Sequence, residues 1–215
     1  MGSTGVLALE QLPKTMIVIG AGVIGLEVAC AYAAFGTKIT VIEALDHVLS
    51  MLDADITADC VQGYAQLAHT ASRMGEISAE NIMGLNTTYD ESTNPTCVYM
   101  EPEAAAVGFR EDQLETGTYE VGTFPMMANG KALITNGGEG LIKIIADKET
   151  EKIVGMHMIG PRAMDLIAEG AVAVRVGMKV DELIETIHLH PTISEAVREA
   201  ALSLQGRTLN MPPAK

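Results

Sequence analysis

A glycine-rich turn between two apolar segments is the feature that most constrains how this chain can fold. Residues 14–19 are rich in β-branched side chains and end at a glycine, a pattern typical of a buried parallel strand. Gly20, Gly22 and Gly25 follow, then a helical pattern and a second strand over residues 38–42. The first glycine permits a tight turn, the second lets the backbone approach a pyrophosphate, and the third lets helix and strand pack closely. The sequence therefore predicts a βαβ unit that binds a dinucleotide.

A carboxylate at the end of the second strand indicates which dinucleotide this unit prefers. Glu43 stands about twenty residues after the glycine turn, where a carboxylate accepts hydrogen bonds from a ribose 2′-hydroxyl and repels a 2′-phosphate. We therefore expect NAD rather than NADP, the alternative being that Glu43 is only a solvated acid at a strand end. A single strand–helix–strand unit leaves both strands with open edges, so it should not be stable alone.

A second feature lies near the C-terminus, where residues 188–195 read His-Leu-His-Pro-Thr-Ile-Ser-Glu. The proline pushes His190 into an extended backbone, outside the helix predicted to begin near Ile193. A neutral imidazole accepts a proton near pH 7, and a carboxylate such as Glu195 can hold the ring in one tautomer. Thr192 and Glu195 also have the spacing of a capping box, and on spacing alone the cap is the commoner explanation.

Composition excludes several classes of function. The chain has 28 acidic and 14 basic residues and a formal charge of -14, which argues against nucleic acid and anionic membrane surfaces as partners. Apolar runs fall short of the roughly 20 residues that span a bilayer, and no signal-peptide layout is present, so we expect a soluble cytoplasmic protein. Cys30, Cys60 and Cys97 lack the spacing of a redox-active pair, and the five histidines lack metal-ligand spacing.

The remaining pattern divides the chain into three parts. Residues 1–57 form the partial, Rossmann-like βαβ unit, residues 58–95 a helical segment ending in a turn-rich connector, and residues 96–215 an α+β domain. In the third part strands precede helices, which indicates an antiparallel sheet with helices on one face. We expect strands over 97–100, 119–124, 140–147 and 152–159, and helices over 110–116, 163–176, 180–187 and 193–204.

Residues 188–200 resemble the C-terminal signature of the dihydrolipoamide dehydrogenases, which are flavin-dependent pyridine nucleotide:disulfide oxidoreductases. Residues 101–103, 128–132, 144–150 and 159–163 also fit the interface domain of that family. The resemblance implies that His190 and Glu195 form an acid–base dyad that reaches across a dimer interface into the partner's active site. It also implies that residues 96–215 are a dimerisation domain.

The resemblance assigns further cofactor contacts in the first half of the chain. Glu27 matches an acid that faces the nicotinamide end of NAD, although an exposed glutamate favoured by the helix dipole would explain it equally well. Residues 59–71 resemble the last segment of the family's FAD-binding domain, with Asp59 matching an aspartate that binds the ribityl chain, while Ala58 replaces the expected glycine. The main FAD-binding glycine motif and the redox disulfide of the family have no counterpart in this sequence.

The function implied by the resemblance is NAD-dependent oxidation of protein-bound dihydrolipoamide, through FAD and a redox disulfide. Because the sequence lacks the disulfide and the main FAD site, we expect this chain to be inactive alone and to form a homodimer through residues 96–215. Its expected partners are lipoyl-bearing proteins of 2-oxo acid dehydrogenase or glycine cleavage complexes. A non-catalytic dimerisation module and one half of a split flavoenzyme are the alternatives.

Overall fold

The structure is a computed structural model that describes residues 1–42 and 67–211. Its strands are β1 (Thr15–Ile19), β2 (Lys38–Ile42), β3 (Thr96–Val98), β4 (Ala104–Gly108), β5 (Tyr119–Pro125), β6 (Leu141–Asp147) and β7 (Ile153–Ile159). Its helices are α1 (Ser3–Val6), α2 (Val23–Ala34), α3 (Ala68–Ile82), α4 (Gly130–Asn136), α5 (Ala163–Val176), α6 (Val180–Glu185) and α7 (Glu195–Leu204). In these two ranges the strands form one two-stranded and one five-stranded sheet.

The N-terminal unit has the predicted strand–helix–strand order. β1 and β2 pair in parallel, with Val18 opposite Val41, and α2 makes the connection between them. The pairing leaves much of the apolar surface of β1 uncovered, since Ile17 is 65% exposed and Ile19 is 84% exposed. Two strands and one helix cannot cover both faces of a parallel sheet, which normally has helices on both sides.

The five-stranded sheet is antiparallel, with the strand order β3-β4-β7-β6-β5. Its central strands β6 and β7 are almost continuously apolar and buried on both faces, because both faces are covered by other parts of the chain. Ile142, Ile144, Met156 and Met158 alternate onto one face, where they join the main hydrophobic core. This confirms the predicted α+β architecture.

Helices α5, α6 and α7 cover the core face of the sheet. Ile167 on α5, Leu183 on α6 and Val197 on α7 are buried in the same cluster as the strand residues. Gly122 on β5 allows α7 to approach closely, because a Cβ atom there would overlap the carbonyl oxygen of Ala200. The position of α7 matters for function, since this helix begins at Glu195.

The opposite face of the sheet is covered by two other segments. Val23 and Leu26 on α2 pack against β3 and β4 and so join the N-terminal unit to the sheet. A 3-10 turn, Glu111–Gln113, lies over the other end, where Glu111 forms an ion pair with the buried Lys143 of β6. His157 on β7 is the cross-strand partner of Lys143, and its Nε2 lies 3.0 Å from the carbonyl oxygen of Phe109.

Differences from the predicted elements have local causes. The segment 110–116 forms only the short 3-10 turn, since its polar side chains bond to each other and to the sheet. Strand β4 was not predicted, because its alanine-rich sequence lacks a strand-like alternation and pairing with β3 and β7 decides its conformation. Helix α4 was also missed, whereas α5 spans the predicted residues. Helices α6 and α7 are each two residues shorter than expected. Among the described residues, no helix is long and apolar enough to cross a membrane.

Candidate functional site

The loop between α6 and α7 presents a histidine to solvent. The side chain of His190 is 81% exposed, and its Nδ1 atom lies 2.9 Å from Oε1 of Glu195, the first residue of α7. The peptide bond between His190 and Pro191 is cis. An ionised carboxylate only accepts hydrogen bonds, so in a neutral ring this contact favours the proton on Nδ1 and the lone pair on Nε2.

Glu195 serves the imidazole and the helix start at the same time. While Oε1 binds His190, Oε2 accepts a hydrogen bond from the backbone N–H of Thr192 at 2.9 Å. The Thr192 hydroxyl donates to the carbonyl of Leu189 at 2.6 Å and contacts the Ser194 hydroxyl. The glutamate half of the capping box and the dyad geometry therefore coexist.

The environment of Glu195 favours its ionised form. Partial burial acts to raise the pKa of this carboxyl, but the Thr192 N–H, the hydrogen bond to His190 and the charges of His190 and His188 together hold the pKa below its ordinary value. An acid that stays ionised near neutral pH can orient the ring and stabilise the imidazolium that forms when the ring takes a proton.

A buried asparagine fixes the loop to the rest of the domain. Asn129 is 6% exposed, and its amide nitrogen donates to the Thr192 carbonyl at 3.0 Å. Its amide oxygen accepts from the backbone N–H of Ala132 at 2.8 Å and so caps the N-terminus of α4. Asn129 lies in one of the segments that resemble the family. Its role was not predicted because the residue is far from the loop in sequence.

A second histidine in the same loop has a different environment. The side chain of His188 is only 6% exposed, with Nε2 placed 2.7 Å from Oε1 of Glu169 on α5. Its Nδ1 lies 3.0 Å from the carbonyl oxygen of Thr186. The sequence pattern predicts no role for His188 or Glu169.

The glycine turn has the tight conformation and the close packing that its glycines predict, and its role in binding a dinucleotide stays a prediction. Gly20 has a φ of 97°, which favours glycine, and a Cβ atom at Gly25 would overlap the carbonyl oxygen of Gly20. Among the described residues, a Cβ atom at Gly22 would meet nothing within 4 Å, so no described atom closes the turn at that position. Gly22 is also the N-cap of α2, which has no side-chain cap.

Of the three carboxylates predicted to contact a cofactor, the structure describes one, Glu27. Oε1 of Glu27 accepts a hydrogen bond from the backbone N–H of Tyr99 at 3.3 Å and so links α2 to the C-terminal domain. Its role at the nicotinamide end stays a prediction. Glu43 and Asp59 lie outside the described residues. In the ranges 1–42 and 67–211, His190 and Glu195 form hydrogen bonds to each other and to Thr192, and neither forms one to the glycine turn.

The cysteines that are described are both free. Cys30 is exposed and Cys97 is partly buried. Burial and the nearby charge of Glu103 raise the pKa of the Cys97 thiol, so it is a poor nucleophile. Within the same part of the chain, no cluster of three or more histidine, cysteine or acidic side chains could hold a metal ion.

Fold and site together define a class of protein: a helix-covered antiparallel interface domain with an exposed His–Glu pair, joined to a nucleotide-type βαβ unit. Two sequence profiles agree with this description. Residues 94–201 match the pyridine nucleotide-disulphide oxidoreductase dimerisation domain, and residues 1–76 match the pyridine nucleotide-disulphide oxidoreductase domain. The chain belongs to the pyridine nucleotide-disulphide oxidoreductases.

Two curated relatives are dihydrolipoyl dehydrogenases. The Bacillus subtilis enzyme is 30% identical over 299 aligned positions, which cover 95% of this chain and 63% of the relative. The mitochondrial enzyme of Caenorhabditis elegans is 29% identical over 308 positions, covering 98% of this chain and 62% of the relative. The chain thus spans a little under two thirds of these relatives. Because the alignments are longer than the 215-residue chain, the relatives also have internal residues without a counterpart here.

Solved structures support the fold. LpdA from Mycobacterium tuberculosis superposes with a TM-score of 0.81 at 22% identity, covering 90% of this chain and 62% of that one. The HOCl-induced flavoprotein disulfide reductase RclA from Escherichia coli superposes with a TM-score of 0.79 at 19% identity, covering 94% of this chain and 67% of that one. Family members depend on FAD and a pyridine nucleotide.

Proposed function

We propose that this chain supplies the proton-handling and dimer-forming portion of a dihydrolipoyl dehydrogenase, with His190 as the acid–base residue and Glu195 as its orienting partner. The observation that carries the proposal is the hydrogen bond between Nδ1 of His190 and Glu195. It leaves the basic Nε2 on an exposed ring, where a thiol of another molecule can reach it.

The chemistry of the dyad follows from its geometry. Nε2 of His190 accepts a proton from a substrate thiol, which makes the thiolate available for attack on a disulfide. The resulting imidazolium donates through Nδ1 to the Glu195 carboxylate, whose second oxygen is fixed by the Thr192 N–H. The same ring returns the proton in the reverse direction.

The surface around the dyad supports the proposal of a homodimer through residues 96–215. Ile187 and Leu189, which alternate with the two histidines, are 95% and 77% exposed. Two large apolar side chains exposed beside the dyad would be removed from water if a partner covered this surface. Burial of these side chains in a homodimer would bring His190 next to the partner chain.

The glycine turn fits the pyrophosphate of NAD. Gly22 gives open access to the N-terminus of α2, whose first-turn backbone N–H groups favour an anion. NAD, when bound, serves as the hydride acceptor. We propose that Gly20, Gly22 and Gly25 hold the pyrophosphate, that Glu43 binds the ribose, and that Glu27 faces the nicotinamide end. Asp59 is the proposed FAD contact.

The proposed physiological partners are lipoyl-bearing proteins of 2-oxo acid dehydrogenase or glycine cleavage complexes. We propose the cytoplasm as the location. The domain limits proposed for this function are residues 1–57 for the nucleotide unit, 58–95 for the flavin-domain segment and connector, and 96–215 for the dimerisation domain.

The experiment is a complementation assay with a second chain that brings the FAD site and the redox disulfide. We expect no turnover of dihydrolipoamide with NAD by this chain alone and measurable turnover on mixing. His190→Gln in the mixture should lower the rate about 10²–10⁴-fold. Lys179→Gln, which alters an exposed ion pair with Glu151, is the matched control and should retain the rate. Turnover by the unmixed chain would contradict the proposal.

A non-catalytic dimerisation module is the second candidate, and one observation favours it. The C-terminal domain buries its apolar side chains in a core of its own, whereas the nucleotide unit exposes Ile17 and Ile19 on β1. A dimer that neither binds NAD nor gains activity from the flavin-bearing chain would support this candidate. NAD binding with activity only in the mixture supports a split enzyme instead.

A further inference from the structure

The two histidines of the loop differ sharply in burial and in bonding. His190 is 81% exposed and has one carboxylate contact, while the His188 side chain is 6% exposed and has an acceptor at each ring nitrogen. Those acceptors are the carbonyl oxygen of Thr186, which lies 3.0 Å from Nδ1, and Oε1 of Glu169, which lies 2.7 Å from Nε2.

The bonding pattern determines the charge of the ring. A neutral imidazole has one N–H and one lone pair, so it can donate to only one of two acceptors. A carbonyl oxygen can never donate, and an ionised carboxylate can only accept. Two such acceptors are therefore satisfied together only by the imidazolium, which donates from both nitrogens.

We propose that His188 is a positioning residue that is held as an imidazolium, pins the His190 loop to α5 through Glu169, and provides a fixed positive charge to the Glu195 carboxylate. This role rests on the proposed function, because it concerns the pair that orients His190. It adds a residue from α5 to a site whose other members come from the loop, α4 and α7.

Charged groups on the neighbouring helices α5 and α7 change the pKa of His188. The hydrogen bond that His188 donates to Glu169 on α5 raises the pKa of His188, burial opposes this, and the Glu169 charge and the Thr186 carbonyl raise it again. Arg198 on α7 acts in the opposite direction, although its Nε donates to the Ile184 carbonyl at 2.8 Å. The net effect of these groups is to raise the pKa of His188. The His188 charge in turn helps to lower the pKa of Glu195.

The two rings therefore have separate tasks. His188 already holds a proton on each nitrogen, so it cannot accept the proton that His190 takes from a thiol. Its charge also favours the ionised form of Glu195, which is the form that keeps Nδ1 of His190 protonated and Nε2 basic.

Long-range ¹⁵N–¹H NMR spectra of the labelled 215-residue chain test the charge directly. Spectra are recorded at about pH 7, above the ordinary histidine pKa of about 6.5. We expect both ring nitrogens of His188 to be protonated. A neutral His188 ring, accepting at Nε2 from a protonated Glu169, would overturn the proposal.

Two substitutions test the positioning role. Glu169→Gln removes the anionic partner, and we expect His188 to lose its second proton at the same pH. His188→Asn removes the cation, and we expect the titration midpoint of the Glu195 carboxyl, followed by its ¹³Cδ shift, to move upward. Lys179→Gln removes a cation from an exposed ion pair and should leave the midpoint unchanged.

A purely structural role would lower the thermal midpoint of unfolding in His188→Asn without moving the Glu195 titration. That result in a folded variant contradicts the proposal. If His188→Asn does not fold, Glu169→Gln decides, since an unchanged His188 ring in that variant also contradicts it. These spectra do not depend on turnover, so failure of the complementation assay and failure of this inference are distinguishable.

Discussion

The two sheets of this chain bury their apolar side chains to very different extents. In the five-stranded sheet Ile142, Ile144 and Met156 are fully buried between helices and covering segments, whereas in the two-stranded sheet Ile17 and Ile19 are mostly exposed. Burial of a side chain such as isoleucine contributes about 1.5–3 kcal/mol, so the stability of the chain resides in its C-terminal domain.

The predicted acid–base pair and the predicted nucleotide site therefore stand on supports of different stability. The His190–Glu195 pair stands on a domain with its own core, held by Asn129 and by the close approach of α7 to β5. The glycine turn has correct local geometry but lies on a unit that is anchored to the sheet mainly through α2. We therefore expect the dyad to be preformed, and the nucleotide site to depend on further covering of β1 and β2.

The largest expected effect is a loss of unfolding free energy that differs between the two sheets. Ile144→Ala in β6 should lower the free energy of unfolding by about 2–5 kcal/mol, because it leaves a cavity in the core. Ile17→Ala in β1 removes the same atoms from an exposed position and should cost at most about 0.5 kcal/mol. Urea unfolding followed by circular dichroism measures both. Equal losses would show that the contrast between the sheets is wrong.

The glycine turn provides the next largest effect. Gly25→Ala places a methyl group against the carbonyl of Gly20 and should destabilise the N-terminal unit by about 1–3 kcal/mol. Amide hydrogen exchange should then speed up in β1 and β2 but stay unchanged in β6 and β7. Gly22→Ala meets no neighbour and is the matched control for protein stability. Exchange that changes in both sheets would indicate that they unfold as one unit.

The dyad provides a smaller, pH-dependent effect in the stable domain. Glu195→Gln should cost about 1 kcal/mol at neutral pH, because it weakens the hydrogen bonds to His190 and the Thr192 N–H. The pKa of Glu195 is lowered in the folded state, so its contribution is present above the unfolded pKa of about 4.3 and is lost as the pH falls through the folded value. Unfolding curves from neutral to acidic pH measure this. A difference between the two proteins that grows toward low pH would contradict the assignment.

The smallest effect belongs to the surface of the same domain. Lys179→Gln breaks an ion pair with Glu151 in which the side chains are 51% and 65% exposed, and it should change the free energy of unfolding by less than about 1 kcal/mol. Added salt should reduce the difference further, since exposed charges are screened. A loss comparable to that of Ile144→Ala would mean that surface charge rather than the core stabilises the domain.

The sequence predicted those parts of the fold and the site that depend on short spacings. The glycine turn, helix α5 and the five-residue separation of His190 and Glu195 are all local patterns, and the structure has the expected geometry at each. Glu169 and Asn129 contact the loop from helices that are distant in sequence, so no spacing could reveal them. Strand β4 was missed for the same reason, because its pairing with β7 is a long-range contact.

The acid–base pair of His190 and Glu195 is already formed in this chain, on a surface that faces outward. The tautomer of His190 in the wild-type chain at neutral pH, read from its ¹⁵N–¹H correlations, tests this most directly. We expect a proton on Nδ1, a lone pair on Nε2, and loss of this preference in Glu195→Gln. A proton on Nε2 in the wild type, or a tautomer that does not respond to the substitution, would contradict it.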